Sequence, residues 1–416
     1  MRHCMIVDNY YPDIRVERQA RALVRRGHDV EVICLRGSGE PKRATVDGVL
    51  VHRVPIRRQR GMGLGSQAVE YVSFLAYAAA AVTVRHQRRP FDVIQAHNVP
   101  DFLVFAGGVA KLGRARLILD LHDLMPEFFA SRFGGRMDSL PVRAVKAEER
   151  ISTAFADHVL TVTELWRQTL IDRGLSAAKV DVVMNVPDDG LFARRPPKEP
   201  RADGPVTIVY HGTLTHRYGV DLLVRAFARL ALEVDVRLLI HGRGELVPEI
   251  ERLIRELRIE DRVRLSTALL PTADLPRLIL EGDLGVVPNR ADVFTDGILP
   301  TKLMEYAALG IPAVVSRTTA TQAYFDESMV RYVTPGDVEE LTRALGELVA
   351  DPRARLELAT NAQRFSDRHR WETEADRYVE IVERLAGVSR TTPGWTGTGE
   401  ARPAFEGRDE RKDGNS

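Results

Sequence analysis

The 416-residue sequence has few cysteines, almost no net charge and no long apolar run. Its two cysteines, Cys4 and Cys34, are too few for a disulfide framework or a four-cysteine zinc site. With 59 basic and 58 acidic residues the formal net charge is +1, so we expect no nucleic-acid partner. The nearest approach to a membrane-spanning run, 71–84, is rich in alanine and too short to cross a bilayer comfortably. The composition is that of an ordinary globular protein.

Lysine is scarce as well. Seven of the 59 basic residues are lysines, which leaves 59 − 7 = 52 arginines. Lys302 is the only lysine between Lys198 and Lys412. A site that needs a compact point charge is one physical reason for a single lysine among so many arginines.

What the sequence does contain is an alternation of short apolar runs with helical patterns. Such an alternation is typical of βαβ units, in which helices cover both faces of a parallel sheet. We therefore predict an α/β protein with two parallel sheets. The runs of the first series are 3–8, 30–35, 49–54, 91–97, 115–122 and 158–163, and those of the second are 206–212, 236–242, 263–267, 283–288 and 311–316.

The segment 186–205 holds five prolines and several charges, which makes it the best domain boundary. We predict an N-terminal domain over 1–187 and a C-terminal domain over 206–369. A charged amphipathic helix over 370–387 follows the second domain, and 388–416 has the composition of a disordered tail.

Polar residues stand where several predicted strands end, which is where open α/β sheets bind their ligands. A single histidine in such a place is more often structural, but four strand ends here each carry one. Neither half has a G-x-G-x-x-G fingerprint after its first strand, which disfavours a dinucleotide dehydrogenase. The strand ends read His97-Asn98, Asp120-Leu121-His122-Asp123, His211-Gly212-Thr213 and His241-Gly242-Arg243-Gly244.

The most informative segment is 294–316, in which we predict a helix from Thr301 to Leu309. Its first backbone N–H groups and the side chain of Lys302 together suit an anion such as a phosphate. Glu305 stands three residues after Lys302 and suits the vicinal hydroxyls of a ribose, because a carboxylate accepts from both. The alternative is a surface Lys–Glu pair of little energetic value.

Together these motifs resemble the family-4 retaining glycosyltransferases of the GT-B fold, over about residues 1–387. The likeness is closest to the branch that acts on bacterial polysaccharides and similar glycoconjugates. The segments that carry it are PDIRVERQARALVRRGHDV (12–30), DLHDLMPE (120–127), YHGTLTHRYGVDLLVRAF (210–227) and LPTKLMEYAALGIPAVVS (299–316).

The resemblance implies two Rossmann-like domains that face each other across a cleft, with the acceptor on the N-terminal one. The C-terminal domain would bind the nucleotide-sugar donor, and the helix over 370–387 would cross back to the first domain. By the resemblance, His122 matches the active-site histidine beside the donor sugar. Asp123 or Glu127 could orient His122 or contact the acceptor, which completes the candidate catalytic group. Arg15, His97 and Asn98 are our candidates on the acceptor side. On the donor side, Glu305 matches the ribose-binding glutamate of the family, and Gly242 and Gly244 match its glycine turn near the nucleotide. Arg217 and Lys302 are our candidates for the diphosphate, and Gly212, Thr213 and Thr301 complete the candidate donor-binding residues.

The sequence departs from the family pattern in two places. Many relatives have an E-x7-E motif, but Gly297 stands eight residues before Glu305, so the first carboxylate is missing. Many also carry Gly-Arg…Lys-Gly in the first turn of the C-terminal domain, where this chain has Gly212-Thr213 and Tyr218-Gly219. No Asp-x-Asp motif follows a predicted strand, so we expect neither a metal nor another cofactor.

The resemblance implies transfer of a sugar from a nucleoside-diphosphate-sugar to an acceptor hydroxyl, with retention at the anomeric carbon. The acceptor would be a glycan, a lipid-linked molecule or a small molecule. Two alternatives share the same nucleotide-sugar site: a GT-B nucleotide-sugar 2-epimerase and a non-catalytic nucleotide-sugar-binding partner. Formation of an altered donor without any acceptor would distinguish the epimerase.

Two free thiols and the lack of an export signal at the N-terminus predict a cytoplasmic protein. Basic clusters at 57–60 and 85–89 flank a stretch whose only charge is Glu70. One interpretation is a buried helix with basic ends. The other is peripheral contact of 57–89 with anionic lipid at the inner face of the plasma membrane.

Overall fold

A computed structural model of the chain describes residues 1–8, 10, 13–37, 39–56, 64–199 and 204–388. Within them the first sheet has eight strands in the order β3-β4-β2-β1-β5-β6-β7-β8. All of its pairings are parallel except that of β3 with β4. The strands are β1 Arg2–Ile6, β2 Asp29–Leu35, β3 Arg43–Val46, β4 Val49–Val54, β5 Val93–His97, β6 Arg116–Asp120, β7 His158–Thr161 and β8 Val180–Val182.

Helices connect these strands and cover both faces of the sheet. The first begins after Asp13, whose carboxylate accepts from the backbone N–H groups of Arg15 and Val16 and so caps the helix. The helices of this half are α1 Ile14–Arg25, α2 Leu64–Arg88, α3 Gly108–Leu112, α4 Met125–Phe133, α5 Leu140–Phe155 and α6 Glu164–Asp172.

The second sheet has six parallel strands in the order β11-β10-β9-β12-β13-β14, which is the doubly wound order of a Rossmann-like domain. Its strands are β9 Val206–His211, β10 Val236–His241, β11 Val263–Ser266, β12 Leu284–Val287, β13 Ala313–Ser316 and β14 Arg331–Val333. Its helices are α7 Val220–Leu230, α8 Val247–Glu256, α9 Leu275–Ile279, α10 Thr301–Ala308, α11 Thr319–Tyr324, α12 Val338–Ala350 and α13 Pro352–Arg368.

The prediction of two wholly parallel sheets is therefore wrong for one strand. Asp47 and Gly48, both with positive φ (50° and 81°), form a tight turn that folds β3 back on β4. An Asp-Gly pair is a strong hairpin signal, and the sequence interpretation missed it. The short edge strands β8 and β14 were not predicted either, because three residues carry too little periodicity.

The last helix, α14 (Trp371–Ala386), packs against α1 and β5 of the first sheet. Tyr378 of α14 is fully buried, and its hydroxyl donates to Gln95 Oε1 at 2.6 Å. Across the cleft, Ser131 Oγ donates to Asp292 Oδ2 at 2.8 Å. The predicted tail at 388–416 lies outside the described residues except for Val388.

Candidate active site

A cavity of about 290 Å³ lies between the two halves, where strands of both sheets end. We call it the His122 cavity. Because the carboxyl ends of parallel strands meet at one edge of a sheet, loops that are distant in sequence converge here. The residues that line it include His122, Asp123, Trp166, Gly212, Thr213, Thr301 and Lys302.

His122 stands in front of a buried polar network. Its Nε2 lies 3.0 Å from Nδ1 of His97, and the latter lies 3.3 Å from Oδ2 of Asp120. Arg15 Nη2 donates to the other oxygen, Oδ1, at 2.5 Å. Burial acts to raise the pKa of Asp120, but Arg15 and the two histidines outweigh it and hold the pKa well below the usual range. Asp120 is therefore an ionised, acceptor-only anchor.

The network extends to the C-terminal helix. Gln95 Nε2 and Gln19 Nε2 each donate to Asp120 Oδ2 at 3.0 Å. The side-chain oxygen of Gln95 in turn accepts from the hydroxyl of Tyr378. Helix α14 thus fixes the support behind His122.

The acceptor-side candidates Arg15, His97 and Asn98 do not face the His122 cavity. The side chain of His97 has no exposed surface, because it points inward beside its strand partner Asp120. Asn98 holds the loop after β6, where its Oδ1 accepts from the N–H of His122 and its Nδ2 donates to the carbonyl of Asp123. His97 and Asn98 therefore lie behind His122 and not at the cavity surface, whereas Arg15 lines a second cavity, described below.

The remaining two predicted catalytic side chains differ in position. Asp123 lines the His122 cavity, and burial raises its pKa to about 6 against the opposing charges of Arg15 and Arg217. Glu127 is not among the lining residues, because it is held by Arg173, which also binds Glu149. In this arrangement Asp123 faces the His122 cavity, whereas Glu127 is turned towards Arg173.

Lys302 lies in the first turn of α10, at a helix end whose N-cap residue is Pro300. Its Nζ donates to the hydroxyl of Tyr210 at 3.1 Å and stands 4.5 and 4.8 Å from the ring centres of Tyr210 and Tyr218. Burial lowers the pKa of Lys302 to about 8, against the opposing charge of Glu305. The alternative of a surface Lys–Glu pair is therefore wrong, since this ammonium is buried at the cavity wall.

Glu305 faces a second cavity of about 400 Å³, which it lines together with Arg15, Arg18, Asn185 and Thr301. We call it the Glu305 cavity. Thr301 and Asn185 also line the His122 cavity, so the two cavities meet at the N-terminus of α10. His211 Nε2 lies 3.3 Å from Glu305 Oε2. Burial raises the pKa of Glu305 to about 7, with Lys302 and Arg18 opposing.

A pH effect on stability follows from Glu305. Its folded pKa lies above the unfolded value of 4.5, so the folded chain binds this proton more tightly and stability falls as pH rises from about 4.5 to 7. We expect Glu305→Gln to remove up to about 3 kcal/mol of that pH dependence. Urea unfolding at pH 5 and pH 7.5 measures it, with Glu260→Gln at an exposed position as the control. An identical pH dependence in Glu305→Gln and the parent would contradict a buried carboxyl.

The predicted glycine turns bring the backbone of β9 and β10 together. A Cβ on Gly242 would lie 1.8 Å from the carbonyl oxygen of Gly212, and one on Gly244 would lie 2.0 Å from that of Leu214. Gly212 has φ 118° and lies against Lys302, whose Cε would be 3.2 Å from an added Cβ. Gly242 and Gly244 do not line the His122 cavity. They pack against the turn after β9, whose Gly212 and Thr213 do line it.

An aromatic wall was missed by the sequence interpretation. Trp166, Phe128 and Phe294 line the His122 cavity, and Arg217 lies 5.2 and 5.3 Å from the two phenylalanine ring centres. A Cβ on Gly297 would lie 2.6 Å from Trp166 Nε1. The indole therefore occupies the space beside the missing carboxylate. The rarity of tryptophan and the place of Trp166 just after β7 were the available signals.

The polar network behind His122 is, among the residues that the structure describes, the one group of side chains that could hold a metal ion. His97, Asp120 and His122 each offer one ligand atom, and these atoms lie within 4.8 Å of one another. Arg15 already forms an ion pair with Asp120, and its positive charge would repel a metal cation at this place. We therefore treat the cluster as a hydrogen-bonded network.

Two Rossmann-like α/β domains with a cleft between them define a GT-B type protein, and comparisons with known proteins assign the family. Residues 12–186 match a "Glycosyl transferase 4-like domain" model, and residues 205–351 match a "Glycosyl transferases group 1" model. The chain belongs to the family-4 glycosyltransferases of the GT-B fold.

Individual relatives agree with this assignment. The chain is 29% identical to the MMP alpha-(1->4)-mannosyltransferase of Mycolicibacterium hassiacum, over 58% of this chain and 57% of that one. It is 29% identical to the GDP-mannose-dependent alpha-(1-6)-phosphatidylinositol monomannoside mannosyltransferase of Mycolicibacterium smegmatis, over 49% and 54%. The chain thus spans about half the length of these relatives. The crystal structure of Anabaena HepE with UDP and glucose has a TM-score of 0.68 at 18% identity, over 92% of this chain and 99% of that one.

Proposed function

We propose that this chain transfers a sugar from a nucleoside-diphosphate-sugar to an acceptor hydroxyl, with retention at the anomeric carbon. The observation that carries the proposal is the meeting of the two cavities at the N-terminus of α10. An elongated molecule with an anionic middle fits such a site, because helix N–H groups and Lys302 provide positive charge where the cavities join.

The donor would lie across this junction. Its diphosphate would meet the N–H groups of α10 and the ammonium of Lys302, with Arg217 at the cavity rim. Its ribose would face Glu305, and its sugar would lie under His122 and against Trp166. The relatives support a nucleotide donor in outline: one is named for GDP-mannose, and HepE was solved with UDP and glucose.

In the reaction the bond between the anomeric carbon and the diphosphate oxygen breaks while the acceptor oxygen bonds to the same face of that carbon. The acceptor proton passes to the departing phosphate. The charge that develops on the diphosphate is stabilised by fixed N–H groups and Lys302, so the proposed reaction needs no metal. Asp123, ionised above about pH 6, would orient the acceptor hydroxyl.

A donor screen tests the proposal. The full chain is mixed with UDP-, GDP- and ADP-sugars, thermal shifts identify the bound donor, and products are then analysed with candidate acceptor glycans or lipids. We expect one nucleotide class to raise the melting temperature and to be consumed only when an acceptor is present. Donor consumption without any acceptor, or an epimerised donor, would contradict sugar transfer to an acceptor.

We further propose that the protein acts in the cytoplasm and contacts the inner face of the plasma membrane through α2. The described part of 57–89 begins at Leu64, and its window Ala68–Arg88 has a mean hydropathy of 1.2 with only 17% of it buried. One face of α2, with Phe74, Ala78 and Val82, is buried in the core of the first domain, so the alternative of a buried helix holds for that face, and the proposal concerns the other face. Apolar side chains of α2 and its neighbour α3 are exposed: Val69, Val72, Tyr77, Val84, Val109 and Leu112. Arg88 adds positive charge at the end of the helix, which suits anionic lipid.

Negative charges placed on this apolar face test the membrane contact. We expect Val72→Glu with Tyr77→Glu to lower co-sedimentation with anionic vesicles at least about tenfold, because two apolar side chains are lost from the lipid contact. Leu232→Glu, at an 87% exposed position of the other domain, should leave it unchanged. Equal vesicle binding by both variants would exclude α2 as the contact.

A further inference from the structure

The hydrogen bond between His97 and His122 fixes where each ring carries its proton. His97 Nδ1 and His122 Nε2 are 3.0 Å apart, with the ring planes at 76°. Between two neutral imidazoles, one nitrogen must donate its N–H and the other must accept with its lone pair. Two arrangements satisfy that rule, and they leave opposite nitrogens of His122 protonated.

Asp120 decides between the two arrangements. Its Oδ2 lies 3.3 Å from His97 Nδ1 and belongs to a carboxylate that Arg15 holds in the ionised form. The same oxygen lies farther from His122 Nε2, at 3.7 Å. A carboxylate only accepts, so the nearer nitrogen, His97 Nδ1, carries the proton. The reverse arrangement would set the bare nitrogen at the shorter distance from the carboxylate. It would also put the proton on His97 Nε2, which is buried without any partner in the part of the chain that the structure describes.

The other nitrogen of His122 is the one that a substrate can reach. His122 Nδ1 has no hydrogen-bond partner among the described residues, yet it is not one of their buried unsatisfied atoms. His122 lines the cavity, and 17% of its side chain is exposed. Nε2 faces His97, and Nδ1 is left for the cavity.

We infer that His97 is a positioning residue whose Nδ1–H donates to His122 Nε2 and thereby keeps His122 protonated on Nδ1. His122 therefore presents an N–H donor to the cavity and has no free lone pair there. In catalysis, which rests on the proposed function, His122 donates a hydrogen bond to the sugar or to the developing anion and does not take the proton of the acceptor. That proton is left to the departing phosphate.

The tautomer is testable without any assumption about activity. Long-range proton–nitrogen NMR of the EDTA-treated full chain, labelled at histidine with nitrogen-15, distinguishes an imidazole protonated on Nδ1 from one protonated on Nε2. His122→Asn identifies the His122 signals by their loss. We expect both His97 and His122 to be protonated on Nδ1 at pH 7.5. Protonation of His122 on Nε2 would overturn the inference.

Two substitutions at His97 test its effect on catalysis. His97→Asn keeps an N–H donor near the position of Nδ1, whereas His97→Leu fills the space without one. We expect His97→Leu to shift His122 towards the Nε2–H tautomer and to lower kcat about 10- to 100-fold with the donor KM unchanged. His97→Asn should keep the parent tautomer and most of kcat.

The outcomes separate the tautomer from the proposed reaction. Equal loss of kcat in both His97 variants, with the tautomer of His122 unchanged, would mean that His97 acts only through packing and would overturn the inference. If no donor is turned over even by the parent chain, the NMR result still decides the tautomer, and it is the proposed reaction that fails.

Discussion

Gly242→Ala is expected to destabilise the C-terminal half by about 3 kcal/mol or more and to abolish donor binding. The added Cβ would lie 1.8 Å from the carbonyl oxygen of Gly212 and 2.9 Å from its carbon. Backbone atoms have no rotamer to escape into, so the turns after β9 and β10 must separate. These turns are tied by hydrogen bonds from Gly212 N to His241 O and from Leu214 N to Arg243 O, at 2.9 and 2.8 Å.

Thermal and urea unfolding measure the loss of stability, and donor-induced thermal shifts measure the loss of binding. Gly108→Ala is the matched control, because Gly108 has helical backbone angles and an added Cβ would meet only Phe155 Cζ at 3.7 Å. That variant should stay within about 1 kcal/mol of the parent. A Gly242→Ala protein with parental stability and donor response would show that the two turns do not approach so closely.

The alternation of apolar runs predicted the Rossmann-like architecture because each run is a buried strand and each helix has a buried stripe. Cys4 and Cys34 are buried in β1 and β2, as small apolar residues of core strands should be. What the sequence could not give is register. His97 and Asp120 are partners across β5 and β6 and so point to the same side. Without knowledge of that pairing, the sequence analysis predicted that His97 faces the cleft.

Contacts between distant loops were also beyond the sequence. The absence of a carboxylate at Gly297 was plain, but the ring that fills the space is Trp166, 131 residues earlier (297 − 166). Likewise Glu127 was predicted to orient His122 or to contact the acceptor. Its actual partner is Arg173, brought there by α6. Spacing along the chain identifies which loops converge, and packing decides which side chains face one another.

Lys302→Met is expected to lower kcat about 10²- to 10³-fold while making the unliganded protein more stable. Both effects come from the same buried positive charge, the ammonium of Lys302, which lies against the rings of Tyr210 and Tyr218. In the unliganded chain that burial disfavours the charge and lowers the pKa of Lys302 to about 8. Methionine has a similar length and no charge to desolvate. In the reaction the same positive charge stabilises the negative charge that develops on the diphosphate.

The sign of the pH dependence checks this account. The folded pKa of Lys302 lies below its ordinary value of 10.5, so the unfolded chain binds the proton more tightly and stability rises as pH increases from about 8 to 10. Lys302→Met should lack that rise. Urea midpoints at pH 7.5 and pH 9.5, measured on both proteins, give the comparison.

Lys198→Met provides the matched control, because Lys198 has a structural role away from the cavities. Its Nζ lies 2.7 Å from Asp283 Oδ1 and donates to the carbonyl of Gly282 at 3.0 Å. We expect that variant to lose stability and to keep kcat for the molecules that remain folded. Opposite signs for the two lysines would assign Lys302 to the reaction and Lys198 to the fold. A Lys302→Met enzyme that loses stability and keeps its turnover would instead place Lys302 with Lys198, and the junction of the two cavities would then not be the diphosphate site.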